Sequence, residues 1–91
     1  MLFVICYDVS DDGKREKLSN LMLDYGTRIQ ESVFECSLTD GEFERMLERV
    51  SIAPLGDSDK VRIYRVCSKC VEQVRIYGPG EVTRDSEYYL V

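Results

Sequence analysis

The apolar positions alternate between short extended runs and helical stripes. Residues 2–9, Leu-Phe-Val-Ile-Cys-Tyr-Asp-Val, are almost continuously apolar and rich in β-branched and aromatic types. They predict a central strand buried on both faces. Ser10-Asp11-Asp12-Gly13 interrupts the run, and any of Ser10, Asp11 or Asp12 could cap a helix. Leu18, Leu21, Met22 and Tyr25 then recur at helical spacing, predicting a helix over residues 14–25 with one apolar stripe. Gly26 follows where a helix C-terminal glycine belongs.

Residues 27–38 are ambiguous. Ile29 and Val33 share one alternation phase, while Phe34, Cys36 and Leu38 share the other. A one-residue slip swaps the faces of a strand, so this stretch holds either a bulge or a very tight turn between two strands. Thr39-Asp40-Gly41-Glu42 has the form of a capping box. Phe43, Met46, Leu47 and Val50 continue from it as a second helical stripe. Pro54, Gly56 and Asp57 mark a loop, and residues 60–66 read as the next strand. Residues 71–77 read as a further strand, which Gly78-Pro79-Gly80 ends. The terminal Tyr88-Tyr89-Leu90-Val91 suits an edge strand added to another sheet. With a turn in the middle, the order is the split βαβ of a ferredoxin-like α+β fold, βαββαβ with an additional C-terminal strand. With only a bulge, a more parallel, flavodoxin-like sheet results.

At 91 residues the chain allows one small domain, for which dimerisation would bury further surface. No apolar run approaches the roughly 20 residues that span a bilayer. The opening run lacks a basic leader and a small-residue cleavage site, so a cytoplasmic protein is expected. The formal net charge of −5 opposes simple nucleic-acid binding, although local patches outweigh totals. There is no histidine, which excludes imidazole acid–base catalysis, Ser-His and Cys-His nucleophile pairs, and imidazole-bound zinc.

Asp8 closes the first strand just before a helix start. The plainer reading is a capping or loop carboxylate, although Asp11 and Asp12 stand closer to the helix. Two Asp8 copies related by a dimer axis could instead hold one hard cation, with waters completing its shell. Arg15 and Lys17, with Lys14, form a basic cluster on the first helix, and Arg28 begins the next strand. The guanidinium fork suits phosphate, whereas Lys14 fits a solvated helix face. Tyr7 and Phe34 stand beside these positions; aromatics in strands are usually core, but exposed ones stack on bases. Cys67-Ser-Lys-Cys70 is a lone CxxC pair. A redox pair would sit at a helix start after a strand. Because the residues that follow read as strand, the thiols are taken as structural, and a thiol-based redox or small-ligand domain is the alternative function.

Several segments together resemble one family. Tyr7-Asp8-Val9-Ser10-Asp11-Asp12 is similar to its "YDISDD" loop after the first strand. Residues 14–25 resemble its basic first helix. Arg28-Ile29-Gln30-Glu31-Ser32-Val33-Phe34-Glu35 resembles its most specific motif, "R-[VI]-Q-x-S-V-F-E". Val61-Arg62-Ile63-Tyr64 with Cys67 and Cys70 resembles its "VRIYxLCxxC" strand. The family is the CRISPR-associated endoribonuclease, the small spacer-acquisition partner of the CRISPR integrase.

The resemblance implies a ferredoxin-like homodimer in which the tail, residues 78–91, pairs with the partner subunit. It also implies a turn near Glu31 and Ser32. Asp8 would be the metal-binding aspartate for Mg²⁺ or Mn²⁺, and Tyr7, Arg15, Arg28 and Phe34 would be associated with nuclease activity. RNA or duplex DNA would lie on Lys14, Arg15, Lys17 and Arg28. Two roles follow from it: a metal-dependent endonuclease, and a scaffold that bridges integrase copies.

Overall fold

A computed structural model describes residues 1–83. The elements run β1 (Leu2–Asp8), α1 (Asp12–Leu23), β2 (Thr27–Gln30), β3 (Val33–Ser37), α2 (Asp40–Ser51), β4 (Lys60–Val66) and the short α3 (Ser68–Val71). The strands form one sheet in the order β2-β3-β1-β4, and every neighbouring pair is antiparallel. This is the ferredoxin-like arrangement, an α+β fold. The expected terminal strand at Tyr88 to Val91 lies outside the described residues.

β1 is central, as its apolar run predicts; its helix-facing side is buried along its length, whereas on the opposite face burial is deep only at Leu2. Phe3, Ile5 and Tyr7 are buried with α1 and α2 residues, while Val4 and Cys6 on the opposite face are half-buried and Asp8 is exposed. The core gathers these side chains with Leu18, Leu21, Met22, Phe34, Cys36, Leu38 and Met46. The Phe3 and Phe43 rings stack at 4.0 Å, fastening α2 to the sheet.

Local chemistry fixes the helix starts. Asp11 accepts a hydrogen bond from the Lys14 amide at 2.9 Å, so it is the cap of the three candidates, and α1 starts two residues before the predicted position. Thr39 and Glu42 make the reciprocal capping box, with bonds of 2.9 and 3.2 Å. The Thr39 amide bond is the first cause holding the Glu42 carboxyl below its ordinary pKa.

Gly26 serves a purpose other than helix termination. Its φ is not positive; α1 ends at Leu23, two residues before the predicted end, and its cap Asp24 is right-handed. What Gly26 supplies is closeness. A Cβ there would meet the Glu35 carbonyl oxygen at 2.3 Å and the Cys36 Sγ at 2.4 Å. The missing side chain lets the end of α1 rest on β3.

The ambiguous middle stretch contains both devices that its phase slip allowed. Glu31 and Ser32 form the turn between β2 and β3. The β2–β3 register also shifts between Arg28 and Gln30, leaving Ile29 without a partner. Among the described residues no non-glycine residue adopts positive φ, so the turn cannot be of the primed type that matches strand twist. The bulge beside it supplies added twist.

Residues 71–77 do not form a strand. α3 follows β4 directly, and residues 74–77 have no regular structure. Val74 and Ile76 alternate with polar residues, but no described strand edge pairs with them, and strand propensity without a partner is weak.

Candidate functional site

Strand register sets the site. Even-numbered residues of β1 face away from the helices, and β4 lies beside them with Asp8 opposite Lys60, Cys6 opposite Arg62 and Val4 opposite Tyr64. On the other side Val4 lies opposite Glu35 and Cys6 opposite Val33. This face is half apolar and partly covered by the chain itself, since the Thr83 amide donates to Glu35 at 2.9 Å; at its Asp8 end Cys6, Tyr7, Asp8, Lys60 and Arg62 line a shallow cleft of about 250 Å³.

Asp8 is exposed, and among the described residues the ion pairs are Arg15–Asp12 and Arg49–Asp24, neither of which involves it. The chain leaving it is fastened from two sides. The Arg15 guanidinium donates to the Val9 carbonyl at 2.9 Å and also bonds Asp12. The Ser10 amide donates to Asp59 at 3.3 Å, and the Gly56 amide donates to the same carboxylate at 2.6 Å. The Gly56 bond is the main cause holding the Asp59 pKa below the ordinary carboxylate range. Asp59 thus ties the loop after β1 to the turn before β4.

The other expected site residues are placed differently. Phe34 is fully buried and Tyr7 nearly so, with rings stacked at 6.2 Å and the Tyr7 hydroxyl donating to the Glu31 carbonyl at 3.4 Å. Their place is in the core, where neither ring can stack on a base. Arg28 pairs with Phe34 in register, lies over its ring at 5.3 Å and donates to the Ser19 hydroxyl of α1. It therefore sits on the helix side of the sheet, opposite to Asp8. Lys17 is exposed on α1 and Lys14 half-exposed.

The cations beside Asp8 are Lys60 and Arg62, which the sequence reading did not single out. Their signal was the shared phase of Lys60, Arg62 and Tyr64 along β4, but only the β1–β4 register shows which end meets Asp8. The Arg62 guanidinium donates to the Tyr64 hydroxyl at 3.3 Å.

Among the described residues no group of three or more His, Cys, Asp or Glu side chains is gathered to hold a metal. One copy offers a single carboxylate. Magnesium keeps several waters and is commonly held by one or two carboxylates, so the donor set would fit that ion if two copies each contributed Asp8.

The profile described as CRISPR associated protein Cas2 matches residues 1–74. The chain belongs to the Cas2 family. It is 36% identical over 88 residues to the CRISPR-associated endoribonuclease Cas2 1 of Chloroflexus aurantiacus, covering 96% of this chain and 95% of that one. Its structure is similar to the crystal structure of Streptococcus pyogenes Cas2 at pH 6.5, with a TM-score of 0.73 and 30% identity over 86% of this chain and all of that chain. A further similar structure is a chain in a partial Cas6-RT-Cas1--Cas2 complex, with a TM-score of 0.59 and 25% identity, covering 82% of this chain and 88% of that chain. No helix among the described residues is long and apolar enough to cross a membrane.

Proposed function

We propose that this Cas2-family chain is the small subunit of a CRISPR spacer-acquisition complex, a homodimer that bridges integrase copies and holds nucleic acid. The observation that carries this reading is the half-apolar sheet face with an exposed Asp8 at its end. Such a face on a domain of 91 residues suits burial against a second copy. The similarity to a chain in a complex containing Cas1 supports the integrase as partner.

Face-to-face packing of two such sheets would bring the Asp8 residues towards a common axis. A magnesium or manganese ion held by both carboxylates would supply a Lewis acid for a phosphate oxygen and an activated water. The chain's own residues contribute the rest. Lys60 and Arg62 attract the phosphate and stabilise charge developing on it. Arg15 and Asp59 hold the backbone that follows Asp8 and so fix the direction of its carboxylate. Lys14 and Lys17 extend positive charge along α1 for the nucleic-acid backbone. Arg28, Tyr7 and Phe34 act as packing that sets the β2–β3 hairpin.

A purely architectural role is favoured by one specific observation: of the four cleavage-associated residues other than Asp8, Phe34 and Arg28 are engaged in packing away from the cleft, and Tyr7, although it lines the cleft, is buried with its ring stacked on Phe34. The Asp8→Ala variant separates the two readings. Magnesium-dependent cleavage of RNA and of duplex DNA is measured beside spacer acquisition with the integrase. Lost cleavage with retained acquisition assigns the scaffold role. Loss of both places the Asp8 centre in acquisition itself. A wild-type chain that is monomeric by light scattering at micromolar concentration overturns the shared-cation centre altogether.

A further inference from the structure

The structure revises the environment of the CxxC pair. β4 ends at Val66, Cys67 is the N-cap of α3, and Cys70 lies in that helix's only turn, closed by the Val71 amide donating to the Cys67 carbonyl at 2.9 Å. Helical rise and radius put Cα atoms three residues apart at about 5 Å. A disulfide needs a separation of roughly 4.4–6.8 Å, a range this Cα spacing falls within. Both thiols are exposed, whereas Cys36 is buried and Cys6 half-buried. Structural thiols are normally buried, which these two are not.

We propose that Cys67 and Cys70 form a reversible dithiol–disulfide pair, with Cys67 the attacking thiol and Cys70 the resolving one, oxidised by a low-molecular-weight disulfide. In the first step the Cys67 thiolate attacks one sulfur of the small disulfide. A mixed disulfide forms and one small thiolate leaves. The Cys70 thiolate then attacks the Cys67 sulfur, forming the internal bond and expelling the second small thiolate. The two protons lost by the cysteines end on the two released thiols. Two electrons have passed from the protein to the small disulfide.

The assignment of roles has independent support. Cys67 makes no aligned capping hydrogen bond, but the Cys70 amide, the Cys70 thiol and the Lys69 amide crowd its sulfur and hold its pKa below the ordinary thiol value. The same contact with the Cys67 sulfur pushes Cys70 up. The low-pKa, accessible thiol is the one that attacks. The pair lies at the Leu2–Val66 end of the β1–β4 register, opposite to the Asp8–Lys60 end. Its chemistry is therefore separable from that of the cleft.

The test uses the full chain, first reduced and then exposed to oxidised glutathione, with thiols counted after denaturation and the bridge located by peptide mass mapping. The chain has four cysteines. The expected result is loss of two thiols, a Cys67–Cys70 bridge, and full recovery with a dithiol reductant. Cys70→Ser should trap glutathione stably on Cys67, and Cys67→Ser should acquire glutathione on Cys70 more slowly. Both variants alter exposed positions and should keep the wild-type circular dichroism. A count that stays at four, a bridge mapped elsewhere, or glutathione accumulating unresolved on the wild type overturns the proposal. So does zinc bound stoichiometrically to the purified chain and released by thiol reagents, which would make the pair a metal ligand.

Discussion

The Gly26→Ala variant tests the close approach on which the α1–β2 corner depends. The added methyl carbon would stand 2.3 Å from the Glu35 carbonyl oxygen, 2.4 Å from the Cys36 Sγ and 2.9 Å from the Cys36 Cα. Ordinary contact begins near 3.4 Å, so the nearest atoms must retreat by about 1 Å. Two of the three belong to the β3 backbone, which is paired with β1 on one side and β2 on the other. The third is a fully buried sulfur. Overpacking that moves backbone costs about 1–3 kcal/mol, and the upper end applies where strands on both sides resist. The smaller conformational freedom of unfolded alanine returns roughly 0.4–1 kcal/mol, leaving a net loss of about 2 kcal/mol. A domain of this length has roughly 5–14 kcal/mol of stability in all. Urea denaturation followed by circular dichroism should show the midpoint falling by about 1–2 M at unchanged slope. Adding Cys36→Ala to the variant removes only the sulfur contact and should rescue part of the added strain. A midpoint within about 0.3 M of wild type, or complete rescue by the second substitution, would show that the backbone clash is not real.

Thr39→Ala removes the oxygen that accepts from the Glu42 amide and should cost about 1 kcal/mol, read as a lower urea midpoint; Thr39→Ser should restore most of it. Asp59→Asn should loosen the loop after Asp8, seen as faster hydrogen exchange at the Ser10 and Gly56 amides at neutral pH. Because the folded-state pKa of Asp59 is depressed, the stability it adds is present above the ordinary aspartate value and lost as pH falls below it. Wild type and variant should therefore converge in acid, and a constant gap down to pH 2 would refute the carboxylate's role. Burial raises the Cys36 thiol pKa to about 11, so the unfolded chain ionises first as pH climbs through 9. The fold should lose up to about 3 kcal/mol between pH 9 and 11 on this account, and Cys36→Ala should flatten that part of the pH–stability profile.

How far the sequence could be read depended on whether a feature is local. The capping box at Thr39, the stripe from Leu18 to Met22 and the extended run of β1 each carry their signal within a few residues, and each forms as expected. The phase slip near Ile29 was legible too, though alternation alone could not show that both a bulge and a turn produce it. The alternation phase of β1 places Tyr7 with Phe3 and Ile5, so its burial was implicit in the pattern. The failures are long-range. Residues 71–77 have strand-like composition but no described partner edge. Lys60 and Arg62 become neighbours of Asp8 only through a register spanning about fifty positions, which no local pattern encodes. Gly26 was noticed for its place after a helix, while its reason lies in a strand ten residues further on.

The two rims of the sheet are unequal. β2 is a rim strand of only four residues, broken by the extra Ile29, and offers a poor template for another chain. β4 is seven residues long and has no register shift. A molecule with one receptive rim could share a strand with a neighbour once, with no second such rim among the described residues from which to continue. Any exchange of extended segments at the β4 rim would therefore close on itself as a finite pair, and the kink in β2 would work against runaway fibril growth.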